Sequence, residues 1–241
     1  VYLKREDMQI VRSYKLRGAY NMISQLSAEQ HSRGVVCASA GNHAQGFAYS
    51  CKKINIKGVI FMPRITPRQK IKQTEMFGDG NIEIILIGDT FDDCLKEALA
   101  YTEANGMTFV PPFDNLEVIA GQGTVGLEIA EDMPDVAAVL VPVGGGGLSA
   151  GVATAIKLMV PGARMIGVDP VSAPKLFRAR EKGAPVRLDA TGGLADGLQA
   201  SEIGTRTFRH HQAYIDDVVL VDDVPLAAAM RHLLDRLKVV V

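Results

Sequence analysis

Three short stretches of this 241-residue chain carry residue types that could do chemistry together. The first is Ser13-Tyr14-Lys15-Leu16-Arg17-Gly18-Ala19, where a charged lead-in (Val1 to Asp7) gives way to a helical pattern. Ser13 reads as the N-cap, its hydroxyl accepting from first-turn amides. Lys15 then falls in the first turn, where the positive helix end disfavours another positive charge. Arg12 and Arg17 push the same way. An amine that gives up its proton easily is the nucleophile that carbonyl chemistry needs. A solvated basic first turn is the plainer reading of the same residues.

The second stretch is Ser39-Ala40-Gly41-Asn42-His43-Ala44-Gln45-Gly46, at the end of an apolar run. Small residues let an anion approach the backbone, and the helix start that follows offers unpaired amides. Asn42 can donate to a phenolate-like oxygen. His43 is placed for a general base, or is merely positional. The third stretch is Val141-Pro142-Val143-Gly144-Gly145-Gly146-Gly147-Leu148. Four glycines between strand and helix let successive N–H groups converge on a phosphate. Gly145, Gly147 and Ala150 also fit a dinucleotide-binding spacing, with Asp169 as the ribose acid. Ala195-Asp196-Gly197 reads as a tight turn.

Short Val- and Ile-rich runs alternate with helical patterns and must position these loops. Strands are expected at Val35–Ala38, Gly58–Met62, Ile82–Ile87, Thr108–Val110, Ala137–Val143, Arg164–Val168 and Asp217–Val221. Helices are expected near Lys15–Leu26, Ala44–Lys53, Arg68–Phe77, Phe91–Ala104, Glu117–Asp132, Leu148–Met159, Pro174–Lys182 and Pro225–Leu237. Unalternating strands between amphipathic helices predict an α/β fold with parallel sheet covered on both faces. Pro111-Pro112-Phe113-Asp114 interrupts the alternation and suggests two lobes.

A formal net charge of −1 gives no reason to expect nucleic acid or an anionic membrane as partner. Cys37, Cys51 and Cys94 have no metal-ligand spacing and read as core residues. No apolar run is long enough to span a bilayer, so a cytoplasmic location is expected.

An activated lysine, a phosphate cradle and an amide donor together are what pyridoxal 5'-phosphate requires. The chain resembles the fold-type II pyridoxal-phosphate enzymes (tryptophan synthase beta-like), and within them the threonine dehydratases, or threonine ammonia-lyases. The segments that carry the resemblance, in the family's order, start with Lys4-Arg5-Glu6-Asp7, Ser13 to Ala19 and Ser39 to Gly46. They continue with Pro111 to Asp114, Ala120-Gly121-Gln122-Gly123-Thr124 and Pro142 to Leu148.

The resemblance implies a smaller lobe over residues 15–110 and a larger one from 1–14 plus 111–241. It makes Lys15 the Schiff-base lysine and the base at Cα. Asn42 contacts the ring oxygen, Gly144, Gly145, Gly146, Gly147 and Leu148 hold the phosphate, and Gly197 lies beside the ring. Ser39, Ala40, Gly41, Asn42 and His43 receive the substrate carboxylate. The implied reaction is dehydration and deamination of L-threonine, with L-serine secondary, by a homo-oligomeric lyase.

Departures sharpen the reading. Related serine racemases place a second serine where this chain has Ala40, so racemisation should be poor. They bind a divalent ion in the segment matching Asp169 to Lys175, where Lys175 replaces a carboxylate; no such metal site is expected. The resemblance breaks off at Lys238-Val239-Val240-Val241. A core trimmed at both ends, without a regulatory domain, is the expectation, with Val239–Val241 an open-edged strand. A related serine dehydratase or racemase, a catalytically silent cofactor-binding core and an NAD-dependent oxidoreductase are the alternatives.

Overall fold

The computed structural model describes residues 1–240. It divides into two compact units, Val1–Val125 and the residues from Gly126 onward. In the first, strands β1 (Val35–Ala38), β2 (Gly58–Met62), β3 (Ile82–Leu86) and β4 (Thr108–Phe109) form one parallel sheet in the order β3-β2-β1-β4. Helices α1 (Lys15–Ser24), α2 (Ala28–Arg33), α3 (Asn42–Ile54), α4 (Arg68–Gly78) and α5 (Phe91–Asn105) belong to this unit, and α6 (Leu116–Asp132) begins in it.

Strand order decides which faces are covered. From β1 to β3 the chain steps one way, so right-handed crossovers put α3 and α4 on one face. From β3 to β4 it steps back across the sheet, which puts α5 on the other face. The core accordingly has two parts. Val35, Cys37, Ile60 and Met62 pack with Phe47 and Cys51 of α3, while Val36, Ala38, Val59 and Phe61 pack with Cys94 and Ala98 of α5. The three cysteines are buried and free, as their apolar surroundings predict.

The second unit carries β5 (Ala138–Pro142), β6 (Arg164–Pro170) and β7 (Asp217–Val221), parallel and in the order β5-β6-β7. Its helices are α7 (Gly147–Met159), α8 (Lys175–Lys182), α9 (Thr205–Tyr214) and α10 (Asp223–His232). Here the chain steps only one way, so crossovers of one hand place their helices on one face. Among the described residues the other face is exposed. Leu140 is 64% exposed, and β5 alternates between buried and exposed along its length. Both sheets are parallel and flanked by helices as expected, the first on both faces and the second on one face among the described residues.

Other expectations are corrected at element ends. The expected helix Pro225–Leu237 begins earlier, at Asp223, because the Asp222 side chain accepts from the Asp223 amide. It then widens into a π-helical turn, Leu233–Leu237. Val239 and Val240 form no strand, and Val241 lies outside the described residues. Two helices escaped the sequence reading. One of them, α2, is opened by a capping box in which Ser27 and Gln30 exchange hydrogen bonds at 3.0 and 3.2 Å.

The open face gives a contrast that urea unfolding can read. Phe47→Ala should cost about 3–5 kcal/mol, since Phe47 is fully buried. Leu140→Ala, on the exposed face, should stay within about 0.5 kcal/mol.

Candidate active site

In parallel sheets a ligand crevice forms at the carboxyl ends of strands, where the strand order reverses. In the first unit the reversal lies between β1 and β4, because the chain steps from β1 through β2 to β3 on one side and then crosses back to β4 on the other side of β1. Ser39 to Gly41 follow β1, and Val110, Pro111 and Pro112 follow β4. The first two of the chemically notable stretches meet here.

Lys15 is the first residue of α1. Its Nζ donates to the Pro112 carbonyl at 2.7 Å and lies 5.5 Å from the centroid of the Tyr14 ring. Burial lowers its pKa from 10.5 to about 8. The cause differs from the expected one. Arg17 turns to Glu6, which accepts two hydrogen bonds at 2.8 Å, and to Thr124 at 3.0 Å, so desolvation is what depresses Lys15. The N-cap also differs. Tyr14 is already helical (φ −66, ψ −15) and takes the cap position, while the Ser13 hydroxyl is buried without a hydrogen-bond partner.

Helix α3 holds the second stretch against Lys15. A Cβ on Gly46 would stand 2.7 Å from Leu16 N and 2.9 Å from the Lys15 carbonyl carbon, so only glycine lets the two backbones come this close. Gly41 is the N-cap of α3 and supplies no side-chain cap, which leaves the first amides of the helix without helical partners. Ser39 Oγ accepts from the Gly41 amide at 3.2 Å. Ala40 is partly buried and Asn42 is exposed. His43 Nε2 donates to the Val110 carbonyl at 2.9 Å. Burial first, then the nearby Lys15 charge, pushes His43 down to about 3, so the ring is neutral and fixed.

The glycine run lies in the second unit, at the end of β5. Helix α7 starts at Gly147, and its N-cap Gly146 has φ +97 and no capping side chain. The first-turn amides are left for an anion at the positive helix end. No other residue fits Gly146. Besides its left-handed φ, an added Cβ would stand 2.6 Å from His211 Cε1 and 2.8 Å from Thr207 Oγ1. The cradle is buttressed from both sides. Thr207 Oγ1 lies 2.9 Å from the Gly145 carbonyl, and Ser149 Oγ lies 2.8 Å from His211 Nε2. On the other side, a Cβ on Gly144 would meet Gly197 O at 3.4 Å and Leu198 Cα at 3.6 Å. Gly197 is therefore beside the loop, and Leu148 is in the first turn of α7.

These features fit a phosphate: bare amides, no Cβ and a rigid backing. They do not suit a dinucleotide. Asp169, the acid a ribose would need, is fully buried and accepts from the Phe177 amide at 3.0 Å. Sequence reasoning missed α9, whose buried residues include Thr207 and His211, because a polar buried face gives no apolar periodicity. The i,i+4 spacing of Thr207 and His211 was the available signal. The carbonyls of Val110 and Pro112 were beyond reach, since backbone acceptors leave no mark in the sequence.

Comparison with known proteins identifies the family. The family model described as pyridoxal-phosphate dependent enzyme matches residues 1–241. "L-threonine dehydratase biosynthetic IlvA" of Bacillus subtilis is 48% identical over 241 residues, which cover 100% of this chain and 57% of that protein. A solved structure, the processed form of threonine deaminase isoform 2 from Solanum lycopersicum, superposes with a TM-score of 0.96 at 43% identity, covering 100% of this chain and 65% of that one. Maize serine racemase superposes with a TM-score of 0.92 at 34% identity, covering 97% of this chain and 70% of that one. The chain thus spans a little over half the length of the Bacillus relative.

Neutral buried histidines make the site acid-sensitive. Unfolded, His43 takes up a proton below 6.5; folded, not until about 3. Stability should therefore fall as pH drops from 6.5 towards 3. Thermal unfolding of His43→Gln across that range should show a shallower loss.

Proposed function

Since the chain belongs to the pyridoxal-phosphate dependent enzyme family, we propose that it is a lyase which dehydrates and deaminates L-threonine to 2-oxobutanoate and ammonia. L-serine is the secondary substrate. The observation that carries the reading is the half-buried Lys15 amine, lowered to about 8 at the reversal of strand order. The names of the Bacillus and tomato relatives supply the substrate class.

In this reading Lys15 holds the cofactor's aldehyde carbon, Asn42 its ring oxygen, and Gly144, Gly145, Gly146, Gly147 and Leu148 its phosphate, with Gly197 beside the ring. Lys15 lies in the proposed smaller lobe, residues 15–110, and the glycine cradle in the larger. Bound there, pyridoxal 5'-phosphate supplies an electron sink that acidifies the substrate Cα–H.

The remaining work falls to the chain. The bare amides at the start of α3, with Ser39, receive the substrate carboxylate. Gly41 admits it closely, Ala40 leaves room, and His43 braces the loop through Val110. The Lys15 amine, neutral for much of the time near pH 8, removes the Cα proton. The β-hydroxyl departs as water, and hydrolysis of the released enamine consumes one water and frees ammonia. Ala40 carries no exchangeable proton, so the loop has no hydroxyl at that position to reprotonate Cα from the opposite face. No helix of the described residues is long and apolar enough to cross a membrane. We assign the enzyme to the cytoplasm and infer a homo-oligomer, dimer or tetramer, from the resemblance alone.

The test is an absorbance titration of the chain with pyridoxal 5'-phosphate, followed by product analysis with L-threonine and L-serine. An absorbance band that requires Lys15, with 2-oxobutanoate formed faster than pyruvate, is the expected result. Lys15→Ala should lower turnover at least about 10³-fold, the scale of losing both covalent and base catalysis. D-serine as the main product would assign a racemase, and a band without turnover would assign a silent cofactor-binding core.

A further inference from the structure

Lys175 has no role in the proposed chemistry, yet its side chain is fully buried. A lysine is rarely enclosed unless its charge is matched by partners. Here the Nζ donates to the Ala173 carbonyl at 2.7 Å and to the Leu198 carbonyl at 2.7 Å. Lengths this short are those of hydrogen bonds from a charged donor. The carboxylate of Asp169 supplies the opposing charge. One of its oxygens accepts from the Phe177 amide at 3.0 Å, and the other is buried without a hydrogen-bond partner. Burial pushes the Lys175 amine down and the Asp169 carboxyl up, and the attraction between them offsets part of both shifts.

Two carbonyls hold the ammonium directly, and the Asp169 carboxylate acts on it through charge alone; oxygen partners of this kind suit a hard cation. The groups come from separate places. Asp169 is in β6, Ala173 follows it, and Leu198 ends the 3-10 turn Asp196–Leu198. That turn is the one whose Gly197 carbonyl and Leu198 Cα back onto Gly144 of the glycine loop. A chain of contacts thus runs from the Lys175 ammonium through the 196–198 turn to the phosphate cradle.

We propose that Lys175 is a tethered cation: its ammonium fills an oxygen-lined cation site and thereby fixes the 196–198 turn against the glycine loop. It is a positioning residue that touches neither substrate nor cofactor. Without it, the Ala173 and Leu198 carbonyls lose their shared donor and Asp169 its opposing charge, and a small ammonium ion can take that place. The effect on the cradle rests on the reading of that loop as a phosphate site; the cation itself does not.

The experiment compares the full chain with Lys175→Ala and Lys175→Met. It reads Tm without cofactor, and the Kd for pyridoxal 5'-phosphate, in methylammonium chloride and in choline chloride of equal ionic strength. Lys175→Ala should lose several degrees of Tm and bind the cofactor at least about tenfold more weakly. Methylammonium should restore most of both, and choline, too large for the site, neither. Lys175→Met, whose side chain fills the space without charge, should be impaired and not restored.

Equal rescue by choline would overturn the proposal, as would a Lys175→Met chain with unchanged Tm and Kd. Should Lys175→Ala fold in neither salt, the Met variant decides. If the unaltered chain binds no pyridoxal 5'-phosphate, the reading of the cradle fails, while methylammonium-specific recovery of Tm still tests the cation.

Discussion

Burial of the Lys15 amine against the Pro112 carbonyl is the contact on which the first unit's site depends. Taking an ammonium out of water raises its free energy relative to the neutral amine, and one carbonyl at 2.7 Å compensates only in part. The lowered pKa is the residue of that imbalance. The geometry follows from chain topology. Stepping back from β3 to β4 sets two strand ends side by side, one giving the small-residue loop and the other the carbonyl that meets the lysine. Gly46 then brings α3 onto the backbone of Lys15 itself. A buried amine and a loop of small residues with bare helix amides thus share one support.

The second unit solves a different problem with the same physics. Gly146 at φ +97 and the uncapped start of α7 bare several N–H donors at one point with no side chain in the way, the features that the proposed phosphate site would need. Such a loop is soft unless it is backed. Thr207, His211 and Ser149 stand behind it on one side, and the Gly197–Leu198 turn on the other. Buried polar groups of this kind trade some stability for a fixed backbone.

Much of this architecture was legible in the sequence. Strands β1, β2 and β7 run over the very residues their Val- and Ile-rich patterns mark. The lysine, the small-residue loop and the glycine run stand out because nucleophiles and bare backbone leave a signature of residue types. Other features leave none. The apolar run Ala138–Pro142 looks like a strand buried on both faces, yet Leu140 is open because strand order, not composition, decides where helices fall. Ser13 has the chemistry of an N-cap and lost that place to the backbone conformation of Tyr14. Helix α9 buries Thr207 and His211, polar residues whose partners are carbonyls and a serine distant in sequence. The depressed lysine was expected for its arginine neighbours, and burial turned out to be the cause.

The most direct test of the account is competitive amine labelling of the cofactor-free chain across pH, read at Lys15 by peptide mass mapping. Because burial lowers its pKa, Lys15 should be reactive at a pH where surface lysines are still protonated, with a midpoint of about 8 rather than 10.5. A midpoint near 10.5, shared with the exposed lysines, would contradict the burial of the amine and the reactivity built on it.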